Sequence, residues 1–594
     1  MTTATVPNAE FRVAGARTFD RRSPLRWIAS HLVRFWPLLL LFLAASTLTS
    51  VLFATVPRLT GVAFDVVLQS EPDVRRLLVL ALAILAIVLL RGVLDLTASF
   101  SVETLGQRLE RNARDELYQS LLGKSQTFHE RQRVGDVMAR ASNDVRQLNP
   151  MMNPGVALIT ESLNGLLVPL VFIAFIDARL LVAPIAFELA FVFALRSYMR
   201  QLNPVSGALR RQFGVLSAGL NQTITGIEVV KSTAQEPQEQ QRFGADAGRY
   251  RDLFVRQGLV QARYLPLLLL AVALTGAFAH GLHLVSQGDI TTGDLVAYMG
   301  LMGVLRFPAF ISIFTFSLVQ LGLAGAERIL ELMRADTELD EGTDGHDARV
   351  EGDLVFERVG FTYQSVPGAS PVLRDVSFRV AQGQTVAIVG QTGSGKSTLT
   401  KLVNRIYDVG EGRIVLDGVD LREWRLASLR RQVGVIEQDV FLFSRSVADN
   451  VSFGLGPEVD RDAVIAAAKA AQAHDFVMAL PEGYDTVIGE RGATLSGGQR
   501  QRLAIARALL TDPRVLILDD ATSAIDSATE DAIQRAIYAV QRGRTTLMIT
   551  HRLSQIRRAD LVLVIHGGRL LDSGTHAELL ERCGLYQRIF ARFD

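Results

Sequence analysis

An α-helical transmembrane domain of six spans, followed by an α/β P-loop domain, is the fold class the sequence predicts, and three observations predict it. The first 330 residues carry six long apolar stretches. At Ala335 the composition breaks into an acidic, glycine-bearing segment. Behind that break, a short β-branched strand runs directly into a glycine-rich loop ending in lysine and serine.

The first span is read from Trp36 to Pro57, a charge-free run that matches the ~20 apolar residues needed to cross a bilayer. Leu77–Leu94, Val156–Ile176, Leu180–Leu195, Tyr264–Val285 and Leu295–Leu321 supply five more. The first run lacks a small-residue cleavage site and reads as a retained helix, not a signal peptide. From Arg12 to Arg34, six arginines (Arg12, Arg17, Arg21, Arg22, Arg26, Arg34) face one acid, Asp20. The positive-inside rule therefore places the N-terminus in the cytoplasm. Six crossings return everything past about residue 325 to the same side, so the expected location is the cytoplasmic (inner) membrane.

Loop lengths agree with that order. The connections near 58–76, 177–179 and 286–294 are short, whereas 100–155 and 196–263 are long, charged and patterned as helix. Some 20 extra residues would carry a helix about 30 Å beyond the bilayer at 1.5 Å each. Ionisable residues at membrane depth are functional candidates by default. Here they are Arg91, Asp95, Glu161, Glu188, His280, His283 and Arg306. Arg91 and Asp95, four apart, can pair along one helix face, and the histidines can reach the outer interface. Glu188, inside an otherwise apolar span, is the strongest candidate for lining a polar chamber.

The composition of the whole chain narrows the function classes. Its 594 residues balance 62 basic against 61 acidic side chains, net +1, so no global charge draws it to nucleic acid. Hydrophobic residues make up 49% and charged ones 21%, which argues against disorder and is unusual for a soluble enzyme. A single cysteine, Cys583, rules out an internal disulfide and a thiolate zinc cluster. The expected organisation is an N-terminal segment (1–35), a transmembrane domain (36–330), a linker (331–350) and a nucleotide domain (351–594). After the linker, β-branched runs alternate with helical patterns, as in a parallel sheet buried on both faces.

The loop Gly390-Gln391-Thr392-Gly393-Ser394-Gly395-Lys396-Ser397-Thr398 fits G-x-x-x-x-G-K-[ST]. It follows the strand Thr385–Val389 and opens a helix, the context that separates a P-loop from a chance match. Glycines let backbone N–H groups wrap phosphates at a positive helix end. Lys396, one of five lysines, is placed to reach the β- and γ-phosphates, and the Ser397 hydroxyl to ligate Mg²⁺. ATP and Mg²⁺ are the implied ligands. Val515–Asp520 (VLILDD) is an apolar strand ending in two carboxylates, a Walker B arrangement. Asp519 would hold the magnesium, and Asp520 would orient or deprotonate the attacking water. His551, after the strand Thr545–Ile549, can stand beside the γ-phosphate. Between them Ser496-Gly497-Gly498-Gln499 opens a helix and makes a second anion-binding surface. One chain does not need two such surfaces for one nucleotide, so the second is expected to serve a nucleotide held by another chain. The pattern is that of an α-helical six-span transmembrane domain followed by an α/β P-loop ATPase domain.

With LSGGQ at this distance from a P-loop, the chain resembles an ABC transporter half-subunit of the exporter type, over nearly its whole length. The resemblance implies that Tyr363 stacks on adenine and that Gln438 contacts Mg²⁺ and takes part in the catalytic site. It implies that Thr486–Gly492 reads the membrane helices and that Ser523–Asp526 couples two nucleotide sites. Coupling helices are expected near Glu130–Asp144 and Thr225–Phe243. In one respect the chain departs from the family, which usually has glutamate where Asp520 stands. Aspartate is one methylene shorter, and a misplacement of ~1 Å can cost on the order of 10²-fold in rate. Two readings stay open. In one, a different half-transporter with a Walker B glutamate completes a heterodimer. In the other, two identical chains pair and Asp520 is a slow base.

The six spans exclude a soluble P-loop ATPase acting on nucleic acid. An importer resembles the chain less, because importers usually keep membrane and ATPase domains on separate chains. An ATP-gated channel or regulator is the remaining alternative. The expected cargo is amphipathic or lipid-like, with small-molecule, lipid and peptide substrates all open.

Overall fold

The computed structural model describes residues 8–590, apart from 14, 16, 18, 264–265, 365–367, 369, 457, 490–491, 493 and 521–526. The chain forms two compact units. One comprises Thr18–Glu116 and Ala139–Glu331, the other Met1–Arg17, Leu117–Met138 and Leu332–Asp594.

The first unit is helical. Helix α1 (Pro24–Leu32) starts on a Ser23 side chain that accepts the Arg26 N–H, with proline at the first helical position. Its fully buried Trp27 donates Nε1–H to Glu116 Oε2 at 2.8 Å, and His31 Nε2 lies 3.1 Å from the same oxygen. Arg21 donates to the other carboxylate oxygen at 2.8 Å, so the buried acid is fully partnered. Helices α2 (Trp36–Val67) and α3 (Val74–Leu122) follow. With 49 residues, α3 is about 70 Å long and far exceeds a ~30 Å hydrocarbon core. The short helix α4 (Gln126–Arg131), which belongs to the other compact unit, then reverses the chain, and α5 (Ala157–Ile176) returns it. The second excursion runs along α6 (Val182–Thr225), turns at α7 (Ile227–Ser232) and comes back on α8 (Glu236–Ala262). Helices α9 (Pro266–Gln287), α10 (Thr292–Val304) and α11 (Arg306–Arg334) complete the unit.

Among the described residues, six helical stretches are long and apolar enough to cross a membrane, one at each expected place. Two details differ from expectation. The first excursion turns through two short helices, Gln126–Arg131 and Val134–Ala139, so its tip begins four residues before the expected 130–144 and overlaps it. Glycine and serine at 123 and 125 break the helix earlier than the charge pattern shows. The last span is interrupted at Leu305, because Pro308 has no N–H to give the Val304 carbonyl. Helices α2 and α10 pack at backbone distance. A Cβ on Gly61 would lie 2.3 Å from the Gly293 carbonyl oxygen, so only glycine fits there.

Among the described residues the second unit holds ten strands: β1 (Leu354–Phe361), β2 (Leu373–Val380), β3 (Thr385–Gly390), β4 (Glu411–Leu416), β5 (Val419–Asp420), β6 (Val433–Ile436), β7 (Val515–Asp519), β8 (Thr545–Ile549), β9 (Leu561–His566) and β10 (Arg569–Gly574). They form a four-stranded antiparallel sheet, β2-β1-β4-β5, and a six-stranded sheet, β10-β9-β3-β8-β7-β6. In the larger sheet β9, β3, β8, β7 and β6 are parallel and only β10 is antiparallel. Burial follows the sheet type. β8 is buried at every position, whereas β2 buries only Leu373, Val376 and Val380. Gly567 and Gly568, both at positive φ, join β9 and β10 in a hairpin.

Candidate functional site

The order β3-β8-β7-β6 decides which residues meet. These four neighbours are parallel, so their carboxyl ends share one edge of the sheet, where open α/β sheets bind ligands. At that edge β3 delivers the Gly390–Lys396 loop, β8 delivers Thr550 and His551, β7 delivers Asp519 and Asp520, and β6 leads to Gln438. Residues spread over 160 positions of sequence are thereby gathered.

Gly390, Gly393 and Gly395 have φ of +156°, +78° and +102°, and a Cβ on Gly390 would lie 2.2 Å from the Ile565 carbonyl oxygen. The loop is therefore closed to side chains where it turns. It ends in helix α12 (Lys396–Val403). Lys396 is buried and donates from Nζ to the Gly390 and Gln391 carbonyl oxygens, each at 2.9 Å. Burial pushes its ammonium below the ordinary lysine value, against the opposing pull of Asp519 and Asp520. Ser394 Oγ is buried without a hydrogen-bond partner, an orphan donor inside the phosphate cradle. Gln391, Thr392, Gly393 and Ser397 are exposed, while Thr398 is buried and its hydroxyl lies 3.0 Å from the Tyr363 hydroxyl. Tyr363 stands edge-on to Phe361 and Tyr407, at 4.9 and 5.3 Å.

Asp519 is the last residue of β7, paired with Ile549. Asp520 carries the ladder one step further, donating its N–H to the Ile549 carbonyl at 3.0 Å, and its φ of +39° is left-handed. Thr550 is buried, with its hydroxyl 2.5 Å from Gln555 Oε1 and accepting the Arg552 N–H at 3.1 Å; His551, next in the chain, is exposed. Gln438 is exposed on the segment after β6. For Mg²⁺, a hydroxyl at Ser397, a carboxylate at Asp519 and an amide oxygen at Gln438 form a hard oxygen set, which fits an ion otherwise held by phosphate and water. Among the described residues, no group of three or more His, Cys, Asp or Glu side chains is placed to hold a metal alone.

Helix α13 (Gly497–Thr511) begins on a reciprocal cap. Ser496 Oγ accepts the Gln499 N–H at 3.2 Å, and Gln499 Oε1 accepts the Ser496 N–H at 2.8 Å. Gly497 is exposed and Gly498 buried. From Thr486 to Ile488 the chain bonds to residues 445–447, with Val487 exposed, while Glu490, Arg491 and the whole of Ser523–Asp526 lie outside the described residues.

Two features had no motif to mark them. Asn450 is buried and ties the segment after Gln438 to α13. Its Nδ2 donates to the Phe443 and Ser446 carbonyls at 3.0 Å, its Oδ1 accepts the Phe443 N–H, and Arg507 Nε donates to its carbonyl at 2.8 Å. An asparagine followed by an arginine-bearing helix was the only signal. The second is Arg552, whose guanidinium is pushed down by burial against the pull of Asp520.

Known proteins match the chain in both parts. Residues 39–309 match the ABC transporter transmembrane region and 373–523 the ABC transporter family of ATP-binding domains. An ABC transporter ATP-binding protein of Bacillus subtilis (strain 168), YknU, is 33% identical over 86% of this chain and 87% of its own. An ATP-dependent lipid A-core flippase of Pseudomonas aeruginosa is 37% identical over 87% and 86%. A solved structure of a bacterial Atm1-family ABC exporter with ATP bound superposes with a TM-score of 0.79 at 31% identity, covering 94% of this chain and 98% of that one. A multi-pass membrane region and an ATP-hydrolysing domain fused in one polypeptide, the chain belongs to the ABC transporter family and is an ABC exporter.

Proposed function

We propose that the chain is one half of a dimeric exporter of amphipathic or lipid-like compounds in the cytoplasmic membrane, with its N-terminus and ATPase domain in the cytoplasm. The observation that carries the reading is the shared sheet edge, where the Lys396 loop, Asp519, Asp520 and His551 meet on adjacent strands of a chain with six spans.

ATP supplies the phosphoryl group, and Mg²⁺ would neutralise charge between its phosphates. Lys396 exchanges its two loop carbonyls for phosphate oxygens. Ser397, Asp519 and Gln438 would hold the ion, and Tyr363 offers its ring to the base. Thr550, fixed by Gln555, sets the position of His551 next to the transferred group. The Ser496–Gln499 helix end presents its N–H groups to a nucleotide bound by the second half. Closure of two such domains on ATP drives the membrane helices through alternating access, and hydrolysis resets them.

Asp520 is read as a weak base, so that a different half-transporter supplies the faster site. A second reading is favoured by a particular observation. Asp520 has a left-handed backbone, a conformation in which aspartate is enriched and longer acids are not. Local geometry then explains the residue, and two identical chains, each with a complete loop and cap, would hydrolyse at both sites.

ATP turnover by the purified chain in lipid nanodiscs, with Lys396→Ala as blank and Asp520→Glu alongside, separates these readings. Turnover at blank level that Asp520→Glu restores supports the unequal pair. Rapid turnover by a dimer of identical chains overturns it. Absence of both ATP binding and turnover in every form of the chain would sink the exporter mechanism.

A further inference from the structure

Within the membrane unit, α2, α3 and α5 enclose a cavity of about 470 Å³, closed on one side by Phe307 and Pro308 of α11. On α2 the lining residues recur at helical spacing, so one continuous face is presented. That face alternates aromatic and hydroxyl groups: Phe42 and Phe53 with Ser46, Thr49 and Ser50 between them. Thr49 is only 8% exposed, and its Oγ1 has no hydrogen-bond partner among the described residues. A buried hydroxyl left unpaired at a cavity wall costs free energy unless something in the cavity answers it.

The charges are unequal. Arg91 Nε lies 3.5 Å from Asp95 Oδ2, and its guanidinium stands over the Phe53 ring at 4.3 Å. Arg91 is thereby matched by Asp95 and by an aromatic face. Glu161, on α5, also lines the cavity and is exposed into it, with no hydrogen bond or ion pair to a described residue. Asn164 sits one turn further along the same face. One guanidinium therefore answers two carboxylates at membrane depth, where an unanswered charge is expensive. Glu188, the strongest sequence candidate, is not among the lining residues; its Oε1 is buried without a partner elsewhere.

We propose that this cavity binds an amphipathic cation, an apolar body carrying one positive charge, with Glu161 as its counter-ion and the Phe42 and Phe53 rings against its apolar part. Aromatic faces attract cations as well as apolar surface, so rings and carboxylate favour the same ligand. The size suits a compound of drug-like dimensions. The inference rests on the export reading and names a cargo class for it.

The test is direct binding to the full chain in nanodiscs without nucleotide, by calorimetry against empty nanodiscs. The probes are tetraphenylphosphonium and tetraphenylborate, matched in shape and opposite in charge. The cation is expected to bind saturably and about tenfold more tightly than the anion. Glu161→Gln should weaken the cation about tenfold and leave the anion within about twofold, while Glu161→Asp retains most of the affinity. Should the Glu161 variants not assemble, Asn164→Asp adds a carboxylate to the same wall and must tighten the cation. Equal or tighter binding of the anion, or no response of the cation to these changes, overturns the proposal. Because ATP is absent, the result is independent of whether the chain hydrolyses it.

Discussion

The Tyr407 hydroxyl donates a hydrogen bond to Glu130 Oε1, joining residues 277 positions apart within one compact unit. Glu130 belongs to α4, the reversal at the end of the first excursion. Burial, and then the Glu130 carboxylate, push the Tyr407 hydroxyl well above the usual tyrosine value, so it stays a donor at every physiological pH. The Tyr407 ring meets Tyr363, and the Tyr363 hydroxyl meets Thr398 on the phosphate-loop helix. A chain of three contacts thus leads from α4 to the nucleotide site.

Tyr407→Phe keeps that edge-on ring contact and removes only the bond to α4. The expected loss of stability is about 1 kcal/mol, with ATP affinity unchanged. Stimulation of turnover by transported compounds should fall while basal turnover persists. Tyr407→Ala, which also withdraws the ring behind Tyr363, should weaken ATP binding several-fold. Nucleotide titration and turnover on the same preparations check both.

Ser496 serves α13 as a cap, and by the proposed mechanism it also serves the second half's nucleotide. Ser496→Ala removes the cap at a cost of about 1 kcal/mol. Ser496→Asp keeps it, since aspartate caps equally well, but sets a carboxylate where phosphate is to bind. Thermal unfolding should show the first variant destabilised and the second not. Turnover should be lost in the second.

Asn450→Ala takes the acceptor from the Phe443 N–H, while the Phe443 and Ser446 carbonyls keep backbone donors and the residue 450 carbonyl keeps Arg507. The expected cost is about 1–3 kcal/mol, and the segment after Gln438 loses the side-chain clamp that holds it to the start of the following helix. Hydrogen exchange at residues 441–446 should accelerate in the variant. Unchanged exchange there would remove Asn450 from this role.

Arg582 holds the Asp572 carboxyl below its ordinary value, chiefly by hydrogen bonding, and fixes the last helices against β10. A carboxylate depressed by folding contributes stability above its unfolded pKa and loses it as pH falls through the folded value. Wild type should therefore exceed Asp572→Asn in Tm by on the order of 1 °C above about pH 4. The difference should shrink as pH falls below that and vanish only beneath the folded value. Melting curves across pH 3–7 decide it.

Local pattern carried much of the architecture into view. The phosphate loop was legible because glycines, lysine and serine are needed at fixed spacing behind a strand, and the spans because apolar length is itself the signal. What local pattern does not hold is adjacency. That β8 lies between β3 and β7, bringing His551 to Asp519, is a property of the sheet order and not of any one segment. The same limit separates Glu161 from Glu188. Both are lone acids in apolar spans, and only the packing of three helices decides which of them lines this cavity. Glu10 shows it again, an unremarked acid that pairs with Arg430 at 2.7 Å across 420 positions.

The unit that contains the ATPase sheets also contains residues 117–138 and the segment before residue 18. This has a consequence for biosynthesis. Glu130 leaves the ribosome 277 residues before Tyr407, roughly 15–55 s ahead at about 5–20 residues per second. During that interval α4 has no nucleotide domain to settle on. The domain must acquire contacts from segments already laid down at the membrane, so its completion is a late, long-range event in the life of the chain. A fragment beginning at the linker would lack Glu10 and Glu130, and the surfaces they cover would face solvent. Defects near the start of the coding sequence should therefore surface as instability of the module encoded at its end.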